Sequence, residues 1–298
     1  FISKDVSVVD LTASPEVELT RVQSADLPAA GSDAAKFLAG NELFHSSRGE
    51  FDEGVTERMS NEGWQACSSC HPDGLSDGVV WAFASGPRKS IPLNGTFSPQ
   101  NQTGNQRILN YSGVFDELED FELNIRAVSG GKGLIILTGT TDQDPNVKAF
   151  DPPNSGRVQL HIGGFPAWDA IVAWTQYKTP SPVSPLRGTD PNSETGLQIA
   201  QGRQIFTQAN CQACHGGAKW STPQVDYARV SPFPETITAG TPPEPPVGQL
   251  SRFLQLVGTF APANPLEKNA NNAQALGQLG YNPPSLLSIF AFPPYFHD

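Results

Sequence analysis

Two pentapeptides constrain this chain more than any other feature. Cys67-Ser68-Ser69-Cys70-His71 and Cys211-Gln212-Ala213-Cys214-His215 use all four cysteines and two of the five histidines in 298 residues. Each places two thiols with two residues between them and an imidazole directly after the second. That is the attachment pattern of a c-type haem. The thiols add across the two vinyl groups, and the imidazole lies beneath the iron as proximal ligand. Three other readings compete. A thioredoxin-like redox pair needs no His after its second Cys. A four-Cys zinc site leaves both histidines unexplained. Chance would have to place a scarce residue twice at the same offset. The expectation is two covalently attached haems, anchored by Cys67, Cys70, Cys211 and Cys214, with His71 and His215 on iron.

Haem attachment of this kind takes place outside the bacterial cytoplasm, so the expected location is periplasmic or extracellular, at the surface of a bacterium. With 19 Lys+Arg against 30 Asp+Glu, the net charge is −11, and no basic run offsets it. Nucleic acid is therefore not an expected partner. A redox partner protein with a basic docking face is, the more so because haem propionates add negative charge. No apolar run reaches the ~20 residues of a transmembrane helix. The 38% apolar and 16% charged content argue against a disordered acidic chain, while 28 Gly and 27 Pro demand long loops. The chain opens at Phe1 without a signal-like segment, which reads as a processed or trimmed product, expected as part of a larger surface protein or assembly. The sequons at Asn94, Asn101 and Asn110 read as loop composition.

A faint repeat precedes the two motifs. Gly40-Asn41-Glu42-Leu43-Phe44 and Gly202-Arg203-Gln204-Ile205-Phe206 share Gly-x-x-Leu/Ile-Phe, in segments of helical periodicity behind the N-cap candidates Ser32 and Ser193. The first copy carries a polar insert, 46–63, expected as a surface loop. Trp168 to Trp174 reads as an amphipathic helix ending near Tyr177, and the Pro180–Pro185 stretch after it as a stiff linker. The expected fold class is mainly α: two cytochrome c-like helical haem domains with long loops and few short strands. The expected divisions are an N-terminal arm at 1–30, a haem 1 domain at 31–180 and a haem 2 domain at 181–298. Val6 to Leu11 reads as a short strand, either the end of a β-propeller or an arm on the cytochrome body. Residues 231–247, rich in Pro, read as a loop.

The motifs resemble the di-haem cytochrome c peroxidase superfamily, which includes the MauG type. Around haem 1 the similar elements are Gly40-x-x-Leu43-Phe44, the first motif, Asp73-Gly74 and Gly86-Pro87-Arg88. Around haem 2 they are Gly202-x-x-Ile205-Phe206, the second motif, Asn282-Pro283-Pro284-Ser285-Leu286 and Pro294-Tyr295-Phe296-His297-Asp298. Residues 63–78 and 116–122 look most like the surface cytochromes fused to β-propellers. Two departures matter. The resemblance implies a distal His shortly before Gly86, where this chain has Val79-Val80-Trp81-Ala82-Phe83. It also implies a calcium-binding Asn where Lys89 stands, whose ammonium cannot ligate calcium, so calcium is not expected. The family continues past its His-Asp-Gly element to a distal Met or Tyr, and this chain stops at Asp298. Either the chain is shortened or haem 2 takes its sixth ligand from elsewhere.

The sixth ligands decide function, because an open iron binds peroxide and a filled one favours outer-sphere transfer. The candidates are His45 and His161, with His297 and Met59 behind them. Each has a plainer reading as a surface, propionate-contacting or structural residue. Peroxidase chemistry also needs an acid/base. Glu119 and Glu122, in the cluster with Asp116, Glu117 and Asp120, are candidates; the plainer reading is a solvated helix face with Arg126 paired to Glu122. Trp81 is a candidate electron relay, against its plainer role as haem packing. The leading expectation is a di-haem c-type cytochrome for one-electron transfer. The alternatives are a peroxidase reducing hydrogen peroxide at haem 1, with haem 2 as the electron-entry site, and a haem-stabilised structural surface module.

Overall fold

The computed structural model describes residues 4–83, 86–97, 106, 107, 109, 111, 118–141, 157–221, 281–293 and 295. The chain begins with a hairpin of β1 (Asp5–Asp10) and β2 (Val17–Gln23), antiparallel with a register shift at Val8/Val9. The helix α1 (Asp33–His45) follows, and its start is the one the sequence predicts: Ser32 Oγ accepts from the Ala35 backbone N–H at 3.2 Å. Next come α2 (Cys67–Cys70) and a second hairpin of β3 (Val80–Phe83) and β4 (Gly86–Lys89). A 3₁₀ turn, Leu118–Phe121, runs into α3 (Glu122–Ala127). Then β5 (Ile135–Leu137) pairs with β6 (Arg157–Gln159), and β7 (His161–Ile162) with β8 (Phe165–Pro166). Gly163 and Gly164, at φ 55° and 80°, make the two-residue turn that joins β7 to β8. The chain then forms α4 (Ala167–Lys178), α5 (Glu194–Gln208) and α6 (Gln212–His215).

The central event is the packing of α1 on α4. Residues Ala39, Gly40, Leu43 and Phe44 form one buried face of α1. On α4 the residues from Ala170 to Thr175 are all buried, so this helix is enclosed rather than amphipathic. Gly40 sets the separation: a Cβ there would sit 2.0 Å from the Ala170 carbonyl oxygen. Phe44 then stacks obliquely on Trp174, ring centroids 4.4 Å apart. Around this pair cluster Phe51, Met59, Leu93, Leu109, Leu134, Leu160, Trp168 and Ile171, each worth about 1.5–3 kcal/mol when fully buried. The repeat counterpart Gly202 meets nothing within 4 Å, so the shared Gly serves close helix contact only in the first copy.

Two expectations need correction. The mainly α fold with two cytochrome c-like helical domains is not what these residues form. Among the described residues, only α1, α4 and α5 are long, with 13, 12 and 15 residues. The eight strands make four separate two-stranded sheets. The reason lies in the Gly and Pro content: turns such as Gly163-Gly164 fold short segments back on themselves before a helix can propagate. The polar insert 46–63 is also not a surface loop throughout. Phe51, Arg58, Met59 and Ser60 are buried, with Arg58 Nε donating to Gly133 O at 2.8 Å and Ser60 Oγ to Ser47 O at 2.7 Å. Two apolar side chains, with the bonds made by Arg58 Nε and Ser60 Oγ, are enough to draw this insert into the core. The loop expected at 231–247 lies outside the described residues.

Candidate functional site

Both motifs form a single helical turn that ends at the histidine. In the first, the His71 N–H donates to Cys67 O at 3.0 Å, closing α2. The backbone leaves the helix at His71 (φ −123°, ψ 64°) and enters a 3₁₀ turn, Pro72–Gly74. Gly74, at φ 76°, has no room for a side chain, since a Cβ would lie 2.8 Å from Thr179 Oγ1. This tight turn brings Leu75 O to 3.1 Å from His71 Nδ1. The partner is a carbonyl, so Nδ1 carries the proton and the ring's lone pair is on Nε2. Burial holds His71 below the ordinary histidine range, in the neutral form that iron ligation requires.

The second motif repeats that geometry with an acceptor from far along the chain. The His215 N–H donates to Cys211 O at 2.9 Å, and His215 Nδ1 lies 3.0 Å from Pro284 O. Residues 217–221 and 283–286 are laced together to hold that carbonyl. Ser221 Oγ donates to Pro283 O at 2.8 Å, Ser285 Oγ to Lys219 O, and the Leu286 N–H to Trp220 O at 3.2 Å. Thus the Asn282-Pro283-Pro284-Ser285-Leu286 string supplies the support for the second imidazole. The helix α5 leads into this turn from its cap, where Ser193 Oγ accepts from the Gly196 N–H at 3.1 Å.

The thiols fit attachment rather than redox exchange or zinc. Burial pushes Cys67 up to about 12 and Cys70 up to about 11, the reverse of the lowered values of reactive redox cysteines. No disulfide joins the four cysteines, and among the described residues no group of three His, Cys, Asp or Glu side chains converges on a metal site. Around the second motif, Ile205 and Trp220 are largely exposed and Phe206 meets Trp220 edge-on at 6.0 Å. Apolar walls of this kind suit a large apolar macrocycle. The residues present therefore fit two haems: paired thiols and an imidazole whose Nδ1 is held by a carbonyl in each motif, with apolar surface beside the second.

The remaining candidates are scattered. His45 ends α1 with Nδ1 2.9 Å from Asn41 O and its ring edge-on to Trp174 at 5.4 Å. His161 is held by Glu53, whose carboxylate accepts from the His161 backbone N–H at 3.0 Å and lies 2.8 Å from its Nδ1. Met59 is buried in the core cluster beside Phe51. His297, Asp116 and Glu117 lie outside the described residues. Glu119, Asp120 and Glu122 form a buried cluster rather than a solvated face. Arg126 does pair with Glu122, at 2.7 Å, as the i, i+4 spacing predicts. Glu122 also accepts from the Leu134 N–H at 2.8 Å and from Trp168 Nε1 at 3.0 Å. Trp81 Nε1 donates to Asp77 Oδ2 at 2.8 Å, close in sequence to the first motif. Lys89 Nζ donates to Phe292 O at 2.6 Å, joining β4 to the last described segment.

No protein-family profile matches the chain, and no curated protein does. Among solved structures it is similar to one described as a MauG-like protein associated with microbial copper homeostasis. The two are 18% identical with a TM-score of 0.44, over 91% of this chain and 72% of the other. The chemistry rests on the chain's own residues.

Two groups escaped the sequence reading: buried Arg107 and buried Lys219. Desolvation brings Arg107 down to about 10 and Lys219 down to about 8. Neither belongs to a motif, and only their burial marks them out.

Proposed function

We propose that this protein is a di-haem c-type cytochrome that passes single electrons outside the bacterial cytoplasm. The supporting observation is the matched state of the two motif histidines. Each donates Nδ1–H to a backbone carbonyl, Leu75 O or Pro284 O, and each keeps Nε2 for iron. Bound haem supplies a one-electron couple, and the axial ligands and the burial of the ring tune its potential. The chain contributes covalent anchors, fixed ring orientation and exclusion of water. Cys67 and Cys70 hold one group; Cys211 and Cys214 hold the other.

Electron transfer is favoured over peroxide turnover by the state of Glu122, one of the two acid/base candidates. Glu122 is fully buried, with its oxygens taken by Leu134, Trp168 and Arg126. A carboxylate held in this way orders the fold and is poorly placed to shuttle protons. The net charge of −11 suits a redox partner with a basic docking face, and association should weaken with salt. The experiment is expression with a haem-attachment system, followed by absorption and EPR spectra. The expected result is two covalent haems, both low-spin, with no hydrogen peroxide consumption. A high-spin haem with rapid peroxide consumption would establish the peroxidase instead, and two haems that no soluble donor reduces would establish a structural module.

A further inference from the structure

The hairpin of β1 and β2 is poorly covered by the rest of the chain. All seven residues of β2 are exposed, Leu19 at 63% and Val22 at 57%, and on β1 Val6, Val8 and Val9 are exposed as well. Among the described residues the two strands form a sheet of their own, and residues 17–23 make no backbone hydrogen bond outside it. A lone two-stranded hairpin is marginally stable in water. The outer edge of β2, which carries neither Pro nor Lys, is a template for another strand.

The side chains of β2 say which strand. Thr20 lies opposite Val8 and Glu18 opposite Val9, so Leu19 is an extra residue without a cross-strand partner. This bulge brings Glu18 onto the same face as Arg21, where Arg21 Nε and Nη2 each donate to its carboxylate at 3.0 Å. Arg21 Nη1 lies 3.4 Å from Asp5 Oδ2 on the same face. With Leu19 set aside, the ladder order along β2 is Val17, Glu18, Thr20, Arg21, Val22, Gln23.

Two copies joined antiparallel through this one edge are related by a two-fold axis. Paired residues must turn their backbone groups to the same side, so the axis passes through a residue and not between two. An axis at Glu18 or Arg21 sets like charges opposite each other. An axis at Val17, Val22 or Gln23 leaves half of the strand or more beyond its partner's end. An axis at Thr20 sets Thr20 opposite Thr20, and on either side of it Glu18 opposite Arg21 and Val17 opposite Val22. Each of these is a favourable cross-strand pair.

We propose that two copies of this chain join by antiparallel pairing of β2 with β2 about Thr20, making one four-stranded sheet from two hairpins. The contact uses the same edge on both copies and therefore closes at a dimer. The bonds between Glu18 and Arg21 within one strand do not oppose it. Both side chains are exposed, where such a pair contributes little, and in the dimer the four groups form a ring of alternating charge. A contact of this size is concentration-dependent.

The test uses the holoprotein. Sedimentation velocity over about 1–100 µM should show monomer and dimer in a ratio that rises with concentration. Arg21→Glu and Glu18→Arg each set like charges opposite in both symmetric pairs, and each alone should weaken the dimer about tenfold. An equimolar mixture of the two variants should recover it, because each reversed charge then meets its opposite on the other copy. Native mass spectrometry should find mixed dimers about tenfold in excess over like ones, a preference that bonds within one strand cannot produce. Hydrogen exchange of the native protein gives a reading that needs no substitution: amides of 17–23 should slow as concentration rises, while those of α4 do not. Monomer at every concentration, no excess of mixed dimers, or exchange at 17–23 indifferent to concentration would each overturn the proposal. A dimer that survives both charge reversals but is lost in Val8→Lys would overturn it in favour of stacked valine faces.

Discussion

Replacing Glu122 tests how this fold is held together. Its carboxylate is fully buried and accepts from the Leu134 N–H (2.8 Å), Trp168 Nε1 (3.0 Å) and Arg126 Nε (2.7 Å), joining α3, the start of β5 and α4. In Glu122→Ala, Leu134 N–H and the Trp168 indole become buried unpaired donors, at about 1–3 kcal/mol each. Arg126, with its side chain only 11% exposed, loses its anion and keeps its bond to Ile135 O at 3.0 Å. Removing one partner of a buried pair costs about 3–5 kcal/mol. These costs overlap, so the expected net loss is about 4 kcal/mol, roughly a thousandfold in the folding equilibrium. Glu122→Gln keeps the shape and one acceptor oxygen but turns an amide N–H₂ toward donors, for about 2 kcal/mol. Equilibrium urea unfolding of the holoprotein, followed by far-UV circular dichroism, measures both. If both variants stay within about 0.5 kcal/mol of the native protein, the carboxylate is not the fastener its bonds imply. A loss of peroxide turnover without loss of stability would instead make it an acid/base group.

Other expectations follow from individual contacts. Gly40→Ala should cost at least about 2 kcal/mol, because its Cβ would meet Ala170 O at 2.0 Å; Gly202→Ala, in open space on α5, should be neutral or gain up to about 1 kcal/mol, and thermal unfolding compares them. Cys67→Ser with Cys70→Ser should leave one covalent haem per chain, counted by pyridine haemochrome, and retention of both would refute the attachment assignment. Glu53 provides a pH test. Burial pushes its carboxyl up, but bonds from the His161 backbone and ring outweigh burial and hold it below the usual carboxylate range. That contribution is present above the unfolded-state value and lost as pH falls through the lowered folded-state value. Glu53→Gln should therefore be less stable by at most about 1 kcal/mol at neutral pH and equal to the native protein in strong acid.

What could be read directly from residues was local. Ser32 and Ser193 cap helices because a hydroxyl before a helical run reaches an N–H three residues on, and both bonds form. Helix α4 likewise follows from short-range pattern. The acidic cluster shows where such reading fails. Three carboxylates so near in sequence look solvated, yet Glu119, Asp120 and Glu122 are buried, because Glu122's donors come from residues 134 and 168. The expected helical domains failed for a related reason. Hairpin pairing depends on turns and on distant cover, and neither has the 3.6-residue period by which a helix is seen.

The haem-site chemistry divides along the same line. Cys-x-x-Cys-His is a one-turn device: a single turn of helix sets the thiols and imidazole relative to one another, so the pentapeptides alone carry the expectation of covalent anchors and proximal ligands. Which carbonyl fixes each imidazole is another matter. His71 finds Leu75 within its own turn, while His215 depends on Pro284, brought to it by the bonds of Ser221, Ser285 and Leu286. The buried cations Arg107 and Lys219 belong wholly to this second kind. Their burial is a matter of tertiary packing, and desolvation, which has no signature in linear order, lowers both.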